Sequence, residues 1–483
     1  MKKQIILFFV LFAGIVYGQN YRTEFMGGLL FSVPDKDITM DLYDFGKNPA
    51  WLVESEKEMW LDINPSISNS WGNYRRKYSP EGTYDLRSGV TGVKPLGTAG
   101  TFSASAYYDY EYNRKLYRSM KKYPYAGEAF YYADTTSGDV RFNGPVFSFT
   151  HSLEIINNLF IGAQIDYQIL AGLKKVYSFT QTVYRDVSFV GGLAYKFSDD
   201  FVLGAKYYLH DEQEKITGED VNLFSIESYL FRGETFAIPY VSKVVNQKIK
   251  KQRNEVSVQS FLSPTENLKI GVTASYAEYD TKILVPKSQI IEAPEGYSSF
   301  SEYNAKLRVN YLLNDEITLG LDMGYNKIDN WSRNESYNLL VWKWDTDCIY
   351  FTAGGSYKFN YADLIIGVEA GLIKNNADSS KYIDDRFTNI SSNDLSIKIG
   401  FELTPYNNFK LRGGVNYLNI EHDFIYGGDN LSTVLYTVGL GYKYLDLADI
   451  NLGLAYKTYS IKDYSDIDRN ELITKLTLRL FTF

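Results

Sequence analysis

A ten-residue phrase of alternating apolar and small or polar side chains recurs seven times along this chain. Its clearest copy is Asn267-Leu268-Lys269-Ile270-Gly271-Val272-Thr273-Ala274-Ser275-Tyr276, and the others begin at Asn158, Asp200, Glu316, Asp363, Asn408 and Asp449. Six of the seven place glycine at the fifth position. A period of two marks a strand with two unlike faces. In the copy at Asn267, one face carries Leu268, Ile270, Val272, Ala274 and Tyr276, and the other carries Lys269, Gly271, Thr273 and Ser275. Such a sheet belongs to a soluble sandwich or to a membrane barrel, and length separates the two. The second to the tenth position covers about 27 Å of strand and about 21 Å of membrane normal at a tilt of about 40°, close to the apolar band of an outer-membrane barrel. Tyr167, Tyr276, Tyr325 and Tyr417 hold the tenth position in their copies, where an aromatic girdle meets the lipid headgroups.

Followed along the whole chain, the alternation predicts about eighteen strands. They fall at 60–72, 83–95, 98–112, 142–154, 158–171, 184–197, 200–212, 253–263, 266–280, 301–313, 316–329, 347–359, 362–374, 392–404, 408–421, 431–445, 448–461 and 470–483. Short turns such as Ile156-Asn157, Ser198-Asp199 and Asn314-Asp315 precede each phrase, whereas long connections such as 113–141, 213–252 and 281–300 lie between. The expected fold is therefore all-β: a transmembrane antiparallel up-and-down β-barrel with short periplasmic turns and long extracellular loops. An even strand count puts both chain ends in the periplasm.

Composition agrees with this reading. A length of 483 residues allows two or three soluble domains, but the phrase runs from Asn158 almost to the end without a linker, as one closed sheet requires. Aromatic residues make up 16% of the chain, with 43 Tyr and only 12 Pro. Met1 to Gly18 reads as a cleavable secretory signal, with Lys2 and Lys3 ahead of an apolar run from Ile5 to Val16. Its removal takes the formal net charge from −8 to −8 − 2 = −10, which argues against nucleic acid as a partner. Cys348 is the one cysteine, so no internal disulfide forms.

Residues 19–57 do not alternate and form an N-terminal periplasmic or plug-like segment ahead of the barrel at 58–483. Within it, Asn48-Pro49-Ala50-Trp51-Leu52 resembles the N-terminal Asn-Pro-Ala-x-Leu element of long-chain fatty-acid transporters and of the barrel shuttle of the type IX secretion system. The resemblance covers about ten residues and implies a plug at the periplasmic end of a lumen. By local physics, Asn48-Pro49 starts a turn or helix, and an ordered turn before the first strand is the alternative. The last strand ends in Phe483, which resembles the terminal aromatic read by the barrel-assembly machinery of Gram-negative bacteria. Leu472, Leu476, Leu478 and Leu480 have the opposite parity to Phe481 and Phe483, so a bulge near Leu480 is expected.

Candidate lumen-lining residues are Gln164, Asp166, Lys206, Lys269, Asp322, Glu369, Lys410, Arg412 and Lys443, because charge does not face lipid cheaply. They bind solute or pair with one another to fill space. Gly162, Gly204, Gly271, Gly320 and Gly367 share their parity and leave room for a plug. Enzyme motifs are not found: the three histidines, His151, His210 and His422, lie far apart, and no HExxH, GxSxG, P-loop or CxxC pattern occurs. No cofactor or metal is therefore expected, although His151-Ser152 and His422 (between Glu421 and Asp423) are conceivable hydrolase residues. Two loops combine cations with tyrosine, Arg114, Lys115, Arg118, Lys121 and Lys122 in one and Lys243, Lys248, Lys250, Lys251 and Arg253 in the other. They suit anionic lipopolysaccharide, or else are solvated. The functional expectation is a channel or transporter for small or hydrophobic solutes. The alternatives are a docking or secretion-system barrel that binds another outer-membrane or periplasmic protein, and an outer-membrane hydrolase.

Overall fold

The computed structural model describes residues 41–481, except 75–78, 117–120, 123–129, 135–136, 175–178, 220–225, 233–236, 243, 287–291, 336, 362, 407, 424–428, 446 and 463. The signal region 1–18, residues 19–40 and Phe483 lie outside the described residues. Nineteen strand segments form one closed antiparallel sheet. Two of them, Trp60–Ile63 and Ser66–Gly72, share both neighbours and are halves of a single strand, so the barrel has eighteen strands. Asn64-Pro65 separates the halves because proline has no N–H for the ladder. The wall is kept there by Asn64 N–H donating to the Gly89 carbonyl at 3.0 Å and by the Pro65 carbonyl accepting from Leu476 N–H at 3.0 Å. The sheet closes where Leu61 pairs with Leu480 of the last strand, Tyr464–Leu480.

All eighteen expected strands are present, most of them longer than the alternation indicates, and the extra length lies at the long-loop ends. The strand expected at 362–374 spans Ile365–Lys381. Its outward residues are Ile366, Val368, Ala370 and Leu372, and then Lys374, Asn376, Asp378 and Ser380; its partner changes from Leu395 to Asn393 at the same level. Past that level both faces are polar, so the hairpin continues while the signal that reveals it stops. Long loops also hold a second, three-stranded sheet of Phe130–Asp134, Ile226–Arg232 and Ala237–Ser242. No alternation marks it, and its pairings join loops distant in sequence. Asn158 and Asp363, which open two of the phrases, take positive φ of 69° and 46°, a conformation that short polar side chains tolerate in tight turns.

The sheet is inverted relative to a soluble protein. Outward Val368 and Leu372 are 47% and 61% exposed, while inward Asp322, Glu369 and Lys398 are 0%, 1% and 4% exposed. Exposed aliphatics of this parity recur strand after strand, among them Val258, Leu319, Ile397, Val438 and Leu452. An apolar surface this extensive is stable only against lipid or another apolar partner. An arginine at Ile397, in the middle of the band, is expected to cost about 2 to 4 kcal/mol of folding free energy in bilayers. Asn389→Arg, beyond the band and opposite Asp378, is expected to change stability by less than about 0.5 kcal/mol. Denaturant titration of refolding into liposomes reads the difference, and equal costs at the two positions would contradict a lipid-facing band.

The expected bulge near Leu480 is not there. The one register shift between the last strand and its preceding neighbour is at Ser460/Ile461, at the long-loop end. The strand stops at Leu480, and Phe481 is tied back by its N–H to the Leu447 carbonyl at 3.0 Å.

Candidate functional site

Residues Asp41–Glu56 pack inside the barrel at its short-turn end. Asn48 organises the segment: it caps the 3-10 turn Pro49–Trp51, its Oδ1 accepting from Ala50 N–H at 3.0 Å. Proline at the first position supplies a preset φ and lacks only an N–H that has no partner in the turn. One turn of helix, Leu52–Ser55, follows. The Asn48 amide also reaches the wall, where Nδ2 donates to the Leu193 carbonyl at 3.1 Å, the Ala205 carbonyl at 3.2 Å and Gln259 Oε1 at 2.9 Å. Gln259 Nε2 donates back to the Gly46 carbonyl at 2.5 Å, and Ser152 Oγ donates to the Ala50 carbonyl at 2.6 Å. Apolar packing completes the seat. Leu42, Ala50 and Trp51 cluster with inward Phe160, Ala194 and Val202, and the Trp51 ring meets Phe160 edge-on at 5.1 Å.

The wall makes room with glycine. A Cβ on Gly162 would lie 2.4 Å from the Pro49 carbonyl carbon, one on Gly192 2.1 Å from Asn48 Oδ1, one on Gly204 2.9 Å from Asn48 Nδ2, and one on Gly271 2.7 Å from the Phe45 ring. Gly162, Gly204 and Gly271 are fifth-position glycines of the phrase. Phe45 in turn lies under two cations, 5.3 Å from Lys306 Nζ and 5.1 Å from the Arg308 guanidinium carbon. Burial, then the charges of Asp44, Asp41 and Asp166, push the Tyr43 phenol up to about 12.

The ladders put all nine candidate lumen residues on the inward face, in different settings. Gln164 Nε2 donates to Asp166 at 3.0 Å and Ser188 Oγ donates to the same carboxylate at 2.9 Å. Asp322 accepts from Arg308 at 2.5 Å and 3.1 Å and lies 3.5 Å from Lys306. Glu369 pairs with Lys398 at 3.1 Å, and Glu402 with both Arg412 at 2.7 Å and Lys410 at 3.1 Å. Lys206 is 3.8 Å from Glu255, whereas Lys269 and Lys443 are exposed near the short-turn rim. Gln259 and Glu302 were not singled out from sequence, while Ser152 and Arg253 take roles other than those expected, Ser152 against the Asp41–Glu56 segment and Arg253 in a pair with Glu302 at 2.8 Å. They fall in strands outside the seven phrases, and their inward parity was the available signal.

His151 and Ser152 face opposite sides of the wall: His151 Nε2 lies 2.9 Å from the Ala99 carbonyl, while Ser152 Oγ points inward to the Ala50 carbonyl. His422 uses its backbone N–H, at 3.3 Å from Ser392 Oγ. His210 is the histidine brought to acidic partners, with Nε2 2.8 Å from Asp186 Oδ1 and Glu212 beside them. Of the basic loop residues, Lys121 and Lys122 are 3% and 6% exposed, which turns them away from any lipid headgroup. Lys122 contacts Glu111, and its N–H donates to Glu214; burial holds its ammonium below the usual lysine range against the pull of Asp85, Asp109 and Glu214. Lys248, Lys251 and Arg253 pair with Glu292, Glu212 and Glu255.

A closed, polar-filled, apolar-surfaced sheet with a segment seated in its lumen defines the class of outer-membrane β-barrels. Within that class, the chain belongs to the family described as "Family of unknown function (DUF6850)", whose model matches residues 49–476. No curated protein sequence matches it. Among solved structures it is similar to a Pseudomonas aeruginosa FadL homologue, at 11% identity and a TM-score of 0.40 over 96% of this chain and 100% of that one. It is similar also to BauA, the ferric preacinetobactin receptor from Acinetobacter baumannii, at 10% identity and a TM-score of 0.45 over 88% and 80%. The P. putida toluene transporter TodX gives 10% identity and a TM-score of 0.32 over 90% and 93%.

Proposed function

We propose that this protein is an outer-membrane channel or transporter for small or hydrophobic solutes, closed at its periplasmic end by its own N-terminal segment. The observation that carries this reading is the seat of Asn48, a buried side chain that caps the plug's turn and at the same time joins three strands of the wall. A turn that merely precedes the first strand needs no such attachment, nor glycines in the opposing wall. Hydrogen bonds and a small apolar contact hold the plug in its seat, and the chain through residues 57–59 tethers it to the first strand, so its release needs no covalent bond broken. Leu42 and Trp51 of the segment pack on inward Phe160 and Val202, which seals the contact between plug and wall. Outward tyrosines whose hydroxyls reach acidic residues, Tyr276 to Glu278 at 2.6 Å and Tyr325 to Asp347 at 2.7 Å, suit a girdle at the lipid interface. On this reading the outer rim meets lipopolysaccharide, and Phe483 is read by the barrel-assembly machinery.

Purified protein in liposomes, with and without residues 19–57, tests the reading. Swelling assays with small sugars and with an apolar aromatic solute are expected to show slow flux for the full chain and at least tenfold faster flux for the shortened one. Equal flux would exclude closure by this segment. The docking alternative draws support from the three-stranded sheet built by two long loops. Under that reading both proteins are impermeable, and loss of residues 226–242 removes a partner protein.

A further inference from the structure

We propose that Asp186, His210 and Glu212 form a divalent metal-ion site on the lumenal wall, of a donor set suited to Zn²⁺. One ligand atom from each of the three lies within 4.8 Å of the others. His210 and Glu212 are two residues apart on the inward face of Phe201–Glu219, and Asp186 on Phe179–Ser198 pairs directly with Glu212 across the ladder. Three donors therefore converge from a paired sheet, where strand register rather than loop conformation fixes their spacing. His210 Nε2 and Asp186 Oδ1 are 2.8 Å apart, against about 3.4 Å for two ligand atoms whose bonds of about 2.1 Å meet at a tetrahedral angle, so the pair opens by roughly half an ångström to admit an ion. An ion at this vertex replaces the hydrogen bond between them, with the imidazole bound through Nε2 and its proton held on Nδ1.

Outer contacts hold these donors as they do in built sites. The Tyr184 hydroxyl donates to Asp186 Oδ2 at 3.1 Å, which leaves Oδ1 directed at the histidine. Tyr208 stacks on the His210 ring, with centroids 5.9 Å apart and planes 19° from parallel. The Glu212 side chain is 4% exposed, and Lys251 Nζ lies 3.4 Å from its carboxylate. An ammonium in that position neutralises the carboxylate when no ion is bound and competes with one that arrives. One imidazole and two carboxylates favour a borderline first-row ion over calcium or magnesium, which prefer an all-oxygen shell.

Two ion pairs that only fill the lumen are the other reading, and Lys251 distinguishes them. Isothermal titration of zinc chloride into EDTA-treated full-length protein in detergent is expected to show one saturable site. His210→Ala and Glu212→Gln are each expected to weaken it at least tenfold, while His151→Ala leaves it unchanged. Lys251→Met removes the competitor and is expected to bind zinc as tightly or more tightly. Migration of the unheated barrel in gels identifies any variant that fails to fold, and Glu212→Gln, nearly isosteric, keeps the test available if His210→Ala is lost. No saturable binding below millimolar zinc, undiminished binding by a folded His210→Ala or Glu212→Gln, or weaker binding by Lys251→Met would overturn the site.

Discussion

Asn48→Ala is expected to raise solute flux through the barrel to near the level reached when residues 19–57 are removed, without lowering the stability of the barrel. The substitution deletes a turn cap, worth about 1 kcal/mol, and an amide whose two N–H groups are shared among three wall acceptors, worth about 0.5 to 1.5 kcal/mol for each N–H. It also leaves Gln259, buried at 1% exposure, without the Asn48 amide that donates to it. The sum is about 2 to 4 kcal/mol, roughly one and a half to three orders of magnitude in the ratio of seated to released plug. Wall strands keep their own ladder bonds, so the temperature at which the folded band is lost in gels should move by no more than a few degrees. Asn48→Asp is a sharper companion, because it keeps the cap on Ala50 but replaces an amide donor by a carboxylate facing two carbonyls and Gln259 Oε1. Unchanged flux in both variants, with the plug shown to be released by protease access, would remove its role as a gate.

Gly162→Leu and Gly192→Val are expected to give the same phenotype from the other side of the contact. A Cβ at either position falls within 2.4 Å of plug atoms, and for Gly162 the atoms met belong to the Pro49 and Ala50 backbone, which no rotamer change can move. The plug must therefore leave its seat or distort. Gly191→Val provides the control, since residue 191 faces outward and the nearest atom to its Cβ is on the Phe189 ring at 3.5 Å, an ordinary contact. Neighbouring glycines thus give opposite results, fast flux from residue 192 and wild-type flux from residue 191. Paired conductance records in planar bilayers measure this. Fast flux from both would point to general damage to the wall, and slow flux from all three would show that the plug yields without opening a path.

The strand plan was legible because a lipid-facing sheet writes itself into sequence as strict alternation. That signal held wherever one face met lipid and the other the lumen, as over 268–280, and stopped where both faces were wet, so Ile365–Lys381 runs seven residues past its expected end at 374. The proposed plug rests in sequence on five residues, Asn48 to Leu52, and its seat was not legible there: Gln259 and Ser152 sit more than a hundred positions from the residues they hold. Lys121 and Lys122 show the reverse failure. Their composition suggests an outer surface, yet Glu111 and Glu214 draw them inward, and nothing local to 113–141 records that.

By itself, then, the order of residues determined the strands, which face of each is greasy, the side on which turns are short, and the glycine hollows along the inner wall. These are local or periodic properties, carried by chemistry within ten residues. Only the closed tertiary structure decided which hollow receives which part of Asp41–Glu56, which inward charges neutralise one another, and that Asp186 meets His210. Register across many ladders sets those distances, and register is the sum of every turn and bulge around the barrel.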